Sequence, residues 1–136
     1  MSSAPTAAVV SGVDFVSVPT RDLDRSVAFY GQTLGLERSA YRPDRNHAEF
    51  ETGTVTIALI NCPALGIPFN TNPAPLALQV DDVAAARAEL EAKGVSFVAD
   101  DIDSGVCHMA NFKDPDGNAL MLHHNYARSS TSASAR

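Results

Sequence analysis

The chain has 136 residues, 45% of them hydrophobic and 19% charged, which suits one domain with enough apolar content for a core. Its formal net charge of −6, with 16 acidic against 10 basic residues and no basic run, argues against a nucleic-acid partner, because phosphate neutralisation needs clustered Lys and Arg. No apolar run reaches the roughly 18–20 residues that span a bilayer, so no membrane partner is expected.

Residues 1–11 are small and aperiodic and read as a loose tail, as do residues 127–136. MSSAPTAAVV lacks the basic stretch that opens a secretory signal. The two cysteines, Cys62 and Cys107, make no disulfide framework, so a reducing cytoplasm is the expected setting. Gly12 to Val18 alternates as a strand, and Pro19 is expected to stop it. Asp22 then caps a helix running to Leu34, in which Leu23, Val27, Tyr30 and Leu34 recur as one apolar stripe. That spacing makes Phe29 and Tyr30 packing aromatics. Gly35 suits a left-handed helix end.

Residues 38–46 read as a solvated loop containing Arg42, Asp44 and Arg45. Two strands follow, meeting at Thr52-Gly53. A two-residue connection sets Glu51 opposite Thr54, Glu49 opposite Thr56 and His47 opposite Ala58. Residues 62–75 hold four of the eight prolines and form an extended linker. The order then repeats, with a strand at 76–80, a helix at 82–93, a strand at 95–99 and two more strands. Lys113-Asp114-Pro115-Asp116-Gly117-Asn118 joins the last two, Gly117 supplying a positive φ.

Asp22 and Gly35 lie 13 residues apart, as do Asp81 and Gly94, and the copies are offset by 59. A duplicated βαβββ unit, one copy at about 12–61 and the other at about 76–126, predicts an α+β fold with a groove shared between modules.

The quoted elements resemble the vicinal oxygen chelate superfamily, the glyoxalase, bleomycin-resistance and extradiol-dioxygenase group. In the first copy the resemblance rests on Asp22-Leu23 with Ser26, Phe29-Tyr30 and Leu34-Gly35-Leu36. In the second it rests on Gln79-Val80-Asp81-Asp82 and on Phe112 through Asn118. It spans about residues 12–126. It implies a cupped eight-stranded mixed sheet with the helices outside, a ligand inside the cup, and a homodimer that in some members builds the cup across its interface. Enzymes of the group hold a divalent ion in the cup on His, Gln or Glu. Counted from the matching motifs, those positions are here Phe15, about Ala58, Pro75 and Met121. None of these side chains ligates such ions, so neither a metal site nor a cofactor is expected. The apolar floor suits a hydrophobic or aromatic small molecule instead.

Polar groups enter through strand alternation. If Met121 faces the cup, so does His123. Pairing Phe112 with Ala119 would set Ala110 beside Met121 and His108 beside His123. An inward Ala58 brings His47 and Glu49 with it. The expected ligand-binding set is therefore Phe15, His47, Glu49, Ala58, His108, Met121 and His123. Glu49, His108 and His123 are the candidate catalytic acid–base groups. Hydrogen bonding at a wet rim is the plainer role for the histidines, and a displaced metal site is the third. His124 should face away, and Cys107 should point opposite to His108, which forbids a Cys–His nucleophile pair.

Three functions fit this reading. One is metal-free sequestration of an apolar compound, as in antibiotic resistance. The second is a metal-free acid–base enzyme. The third is a glyoxalase-, lyase-, isomerase- or dioxygenase-like enzyme with a relocated divalent metal.

Overall fold

The structure is a computed structural model that describes residues 8–127; the expected tail segments 1–7 and 128–136 lie outside it. The first repeat contains β1 (Phe15–Thr20), α1 (Leu23–Ala28), β2 (Glu37–Arg42), β3 (His47–Glu51) and β4 (Thr56–Asn61). The second contains β5 (Leu76–Gln79), α2 (Val83–Ala92), β6 (Ile102–Asp103), β7 (Cys107–Lys113) and β8 (Ala119–Asn125). The βαβββ order is therefore present twice.

The strands form two four-stranded sheets, β1-β4-β3-β2 and β5-β8-β7-β6. Among the described residues only the β1–β4 and β5–β8 pairs are parallel. The eight strands expected in one sheet thus divide into two, with β1 and β5 as edges that share no ladder among the described residues.

α1 packs on β3 and β4, and α2 on β7 and β8. Under α1 the alternate residues Val18, Ala48, Phe50, Ile57 and Leu59 are buried; under α2 the same is true of Ala110, Phe112, Leu120 and Leu122. Each Val, Ile, Leu or Phe among them contributes about 1.5–3 kcal/mol by leaving water, and the two alanines less. Both sets belong to one continuous core, so the two modules share their apolar interior.

Several elements depart from the sequence expectations. Pro19 lies inside β1 and does not stop it; an edge strand can spare one amide donor. Residues 38–42, part of the expected loop 38–46, belong to β2, which has a bulge between Arg38 and Ala40. Residues 95–99, expected as strand, supply only the isolated Phe97–Phe112 bridge. The stretch 62–75 is largely exposed and includes one short turn of 3₁₀ helix, Pro63–Leu65.

The helices are not exact copies. Asp22 caps α1 by accepting the Arg25 amide, and Asp82, rather than Asp81, caps α2 by accepting the Ala85 amide. Cap and left-handed glycine are thus 13 residues apart in the first repeat and 12 in the second, the glycines being Gly35 (φ 76°) and Gly94 (φ 95°). The extra residue is absorbed by a π-helical turn, Phe29–Thr33, continuing α1. A π turn holds one residue more per hydrogen-bonded loop than an α turn. Aligned on the caps, the buried Leu23 and Tyr30 of one helix match the buried Val83 and Leu90 of the other.

Candidate functional site

Loop size decides which side chains share a face. Between β3 and β4, Thr52 Oγ1 accepts the amides of Thr54 and Val55 and donates to the Val55 carbonyl. The connection is therefore four residues long, and Glu51 pairs with Thr56, Glu49 with Ala58 and His47 with Ile60. This corrects the expected register by two residues, which leaves every side chain on its expected face. Phe15, Ser17, His47, Glu49 and Ala58 lie on the face opposite the buried Val18, Phe50 and Ile57.

Within this set, His47 Nε2 and Glu49 Oε2 are 2.8 Å apart, with their side chains about a quarter and a third exposed. Arg42 pairs with His47 across the β2–β3 ladder. Glu51 accepts hydrogen bonds from Ser39 and Thr56, which hold its carboxyl below the usual carboxylate range. Phe15, at the start of edge strand β1, is 53% exposed. This open face therefore combines an exposed aromatic ring with a hydrogen-bonded imidazole–carboxylate pair.

In the second sheet the correction matters more. Asp114 Oδ1 accepts the amides of Asp116 and Asn118, and Gly117 (φ 91°) completes a five-residue connection. Lys113 then pairs with Ala119, Asn111 with Met121, Met109 with His123 and His108 with His124. The expected pairs Phe112–Ala119 and Ala110–Met121 slip by one residue, which turns β7 over. Ala110 goes into the core, fully buried, and His108 leaves the Met121–His123 face. Cys107, Met109 and Asn111 take that face instead. Cys107 and His108 still point opposite ways, and His124 is on the face away from His123, as read from the sequence.

His108 lies in a different cluster. It is 3.4 Å from Asp103 Oδ2 and stacks on Tyr126 with ring centroids 4.6 Å apart. Tyr126 donates to Asp103 at 2.8 Å. This exposed group ties the end of β8 to the turn before β7. Among the described residues no hydrogen bond or ion pair joins the His47–Glu49 set to Met121 or His123.

The polar network that does join the modules is one the sequence reading missed. The Asp116 carboxylate, with no exposed side-chain surface, accepts hydrogen bonds from Thr20 Oγ1, Ser26 Oγ and the Arg21 amide. Burial alone would raise its pKa, but those donors and the Arg25 charge outweigh it and hold the group below its ordinary value. The fully buried Tyr30 donates to Asp114 Oδ2 at 2.8 Å; burial, then the Asp114 charge, pushes its phenol far above its usual range. Asn118 Nδ2 donates to the Pro19 carbonyl. Asp22-Leu23 with Ser26 and Tyr30, and the Asp-Pro-Asp-Gly-Asn turn, were legible as separate local motifs. They are two halves of one latch.

The residues at the four counted metal positions do not fit an ion. Phe15, Ala58 and Pro75 offer no donor atom, and the Met121 thioether is too soft for the hard and borderline cations concerned. Among the described residues no three His, Cys, Asp or Glu side chains gather as a ligand set. Among the described residues no helix is long and apolar enough to cross a membrane.

Comparison with known proteins gives a consistent result. Residues 12–122 match the family model of the Glyoxalase/Bleomycin resistance protein/Dioxygenase superfamily. An uncharacterized protein of Mycolicibacterium smegmatis (strain ATCC 700084 / mc(2)155) is 31% identical over 111 residues, 82% of this chain and 91% of its own. TnmS3, an antibiotic binding protein from Streptomyces sp. CB03234, is similar with a TM-score of 0.73 and 26% identity, covering 88% of this chain and 99% of that one. Lactoylglutathione lyase from Agrobacterium tumefaciens superposes with a TM-score of 0.69 over 84% of this chain and 93% of that one. At 21% identity that likeness concerns the fold alone.

Proposed function

The chain belongs to the glyoxalase/bleomycin resistance protein/dioxygenase superfamily, and from that premise we propose that it binds and sequesters a small hydrophobic or aromatic molecule on the open face of its sheets. The observation that carries this reading is the side-chain chemistry at the four counted positions, Phe15, Ala58, Pro75 and Met121, where no group can act on an ion. Phe15 supplies a flat surface for stacking. The His47–Glu49 pair on the same face of the sheet supplies hydrogen bonds that orient a guest. The likeness to an antibiotic binding protein at 26% identity supports the same reading. Sequestration needs no chemistry, since binding protects by mass action.

A homodimer is part of the same proposal: a face bearing a half-exposed Phe15 gains from being partly covered by a second copy of the chain.

The test is a titration of the chelator-treated protein with a library of neutral and cationic aromatics, alongside light scattering for molar mass. Saturable binding by a dimer is expected, with Phe15→Ala weakening it by about tenfold, on the order of 1.4 kcal/mol. Binding that appears only with stoichiometric divalent metal, or that ignores Phe15→Ala, would refute the proposal. The 2.8 Å His47–Glu49 contact favours one second reading, metal-free proton transfer by Glu49. In that case a substrate is turned over and Glu49→Gln stops turnover while leaving its binding intact.

A further inference from the structure

One pocket of the described residues lies away from the open face. A cavity of about 450 Å³ lies at the seam between the modules, within the size range of small-molecule sites. Its inner end is closed by Ile57, Leu90 and Leu122, each less than a tenth exposed. Ile57 and Leu122 point to the helix side of their strands, opposite to Ala58 and Met121, and Leu90 comes from α2. Leu34 and Leu36 wall it from the first module, and Leu76 and Leu78 from the second.

Its outer end is polar: Thr33, Thr52 and Thr54 bring hydroxyls there, and Glu89 a carboxylate. Ala77 and Gln79 also border it, although their side chains share the Met121–His123 face. They therefore present the β5 backbone, on the side of that edge strand that has no ladder partner.

We propose that this seam cavity is a second binding site, separate from the open face, for an uncharged molecule with an apolar body and one hydroxyl-like head. The body fills the aliphatic inner end, where a charge would be desolvated without a partner. The head bonds to the Thr33 or Thr54 hydroxyl or to the free edge of β5, since the Thr52 hydroxyl is taken up by its own turn. An anion is excluded by Glu89 and by the net charge of −6. Glu89 is largely exposed and only loosely paired with Lys93 at 3.9 Å, so it stays hydrated at the mouth and leaves the aliphatic inner end to an uncharged guest. Because the walls come from both modules, the guest binds the pair and stabilises their packing.

The probe is 4-octylphenol, titrated calorimetrically into the full chain, with melting temperature as a second readout. Thr54→Trp, at an exposed position, blocks the outer end without touching the core. Ala86→Phe fills the cavity from α2. The expected result is saturable binding weakened on the order of tenfold or more by either variant, unchanged by Phe15→Ala, with a rise in melting temperature that Thr54→Trp abolishes. If Ala86→Phe fails to fold, Thr54→Trp alone decides. Loss of binding in Phe15→Ala with wild-type binding in Thr54→Trp would place the guest on the open face and overturn the proposal. Absence of saturable binding would overturn it as well, and leaves the open-face reading to its own library.

Discussion

Asp116 shows how one carboxylate can hold two modules together. Its oxygens satisfy Thr20, Ser26 and the Arg21 amide, so removing it from the second module strands buried donors of the first. Asp116→Ala should cost about 3 kcal/mol, readable as a lower midpoint in denaturant. The pH dependence follows from the shifts. Asp116 is held below its ordinary value, so its contribution is complete above about pH 4 and is lost as pH falls through the folded value. Tyr30 is held above its ordinary value, so its contribution is complete below about pH 10 and is lost as pH rises towards the folded value. Melting temperature should therefore be flat between those limits and fall outside both. A melting temperature that peaks near pH 4 and declines through neutrality would contradict this assignment. The sequence showed that Asp116 sits in a turn, because turn chemistry is local. It did not show what Asp116 touches, because Thr20 lies 96 positions away and spacing carries no information about that contact.

At the scale of elements, periodicity identified both helices, while their fine structure depended on one inserted residue. The stripe Leu23, Val27, Tyr30, Leu34 assumed a regular α-helix, but the chain passes into a π turn at Phe29, and Ser26 is buried where the stripe did not place it. Within that turn Gly31 presses on the fully buried Phe50 ring, where an added Cβ would sit 3.2 Å from Cε1. Phe50 is held in turn by Tyr30, with ring centroids 6.2 Å apart. Gly31→Ala should destabilise by about 1 kcal/mol despite the better helix propensity of alanine, and an unchanged or raised melting temperature would show that Phe50 can yield.

Hairpins were legible as hairpins, since Gly and Asx residues mark turns. Their loop lengths were not, because side-chain hydrogen bonds from Thr52 and Asp114 set them. An error of two residues was harmless in the first hairpin. An error of one in the second moved His108 from the Met121–His123 face to the Asp103–Tyr126 cluster. Six of the seven candidate residues therefore keep the face read from alternation, and only His108 leaves it. Phe15, Glu49 and Ala58 depend only on alternation within strands, whereas His108 depended on a register that alternation does not supply.

For the whole molecule, duplication predicted two modules, and two are present. It did not predict that the strands would divide into two sheets joined by a shared core and a buried latch. The open faces, the seam cavity and the latch therefore occupy different parts of the modules, so a guest on one need not disturb another.

The latch has a further consequence for how the native state opens. Since Asp116 and Asn118 grip the end of β1 while Tyr30 reaches back to Asp114, neither half can melt alone without stranding polar groups of the other in its interior. Deuterium uptake at the inner amides of β4 and of β8 should then follow a single opening free energy, and markedly faster labelling of one repeat would show that the halves breathe independently.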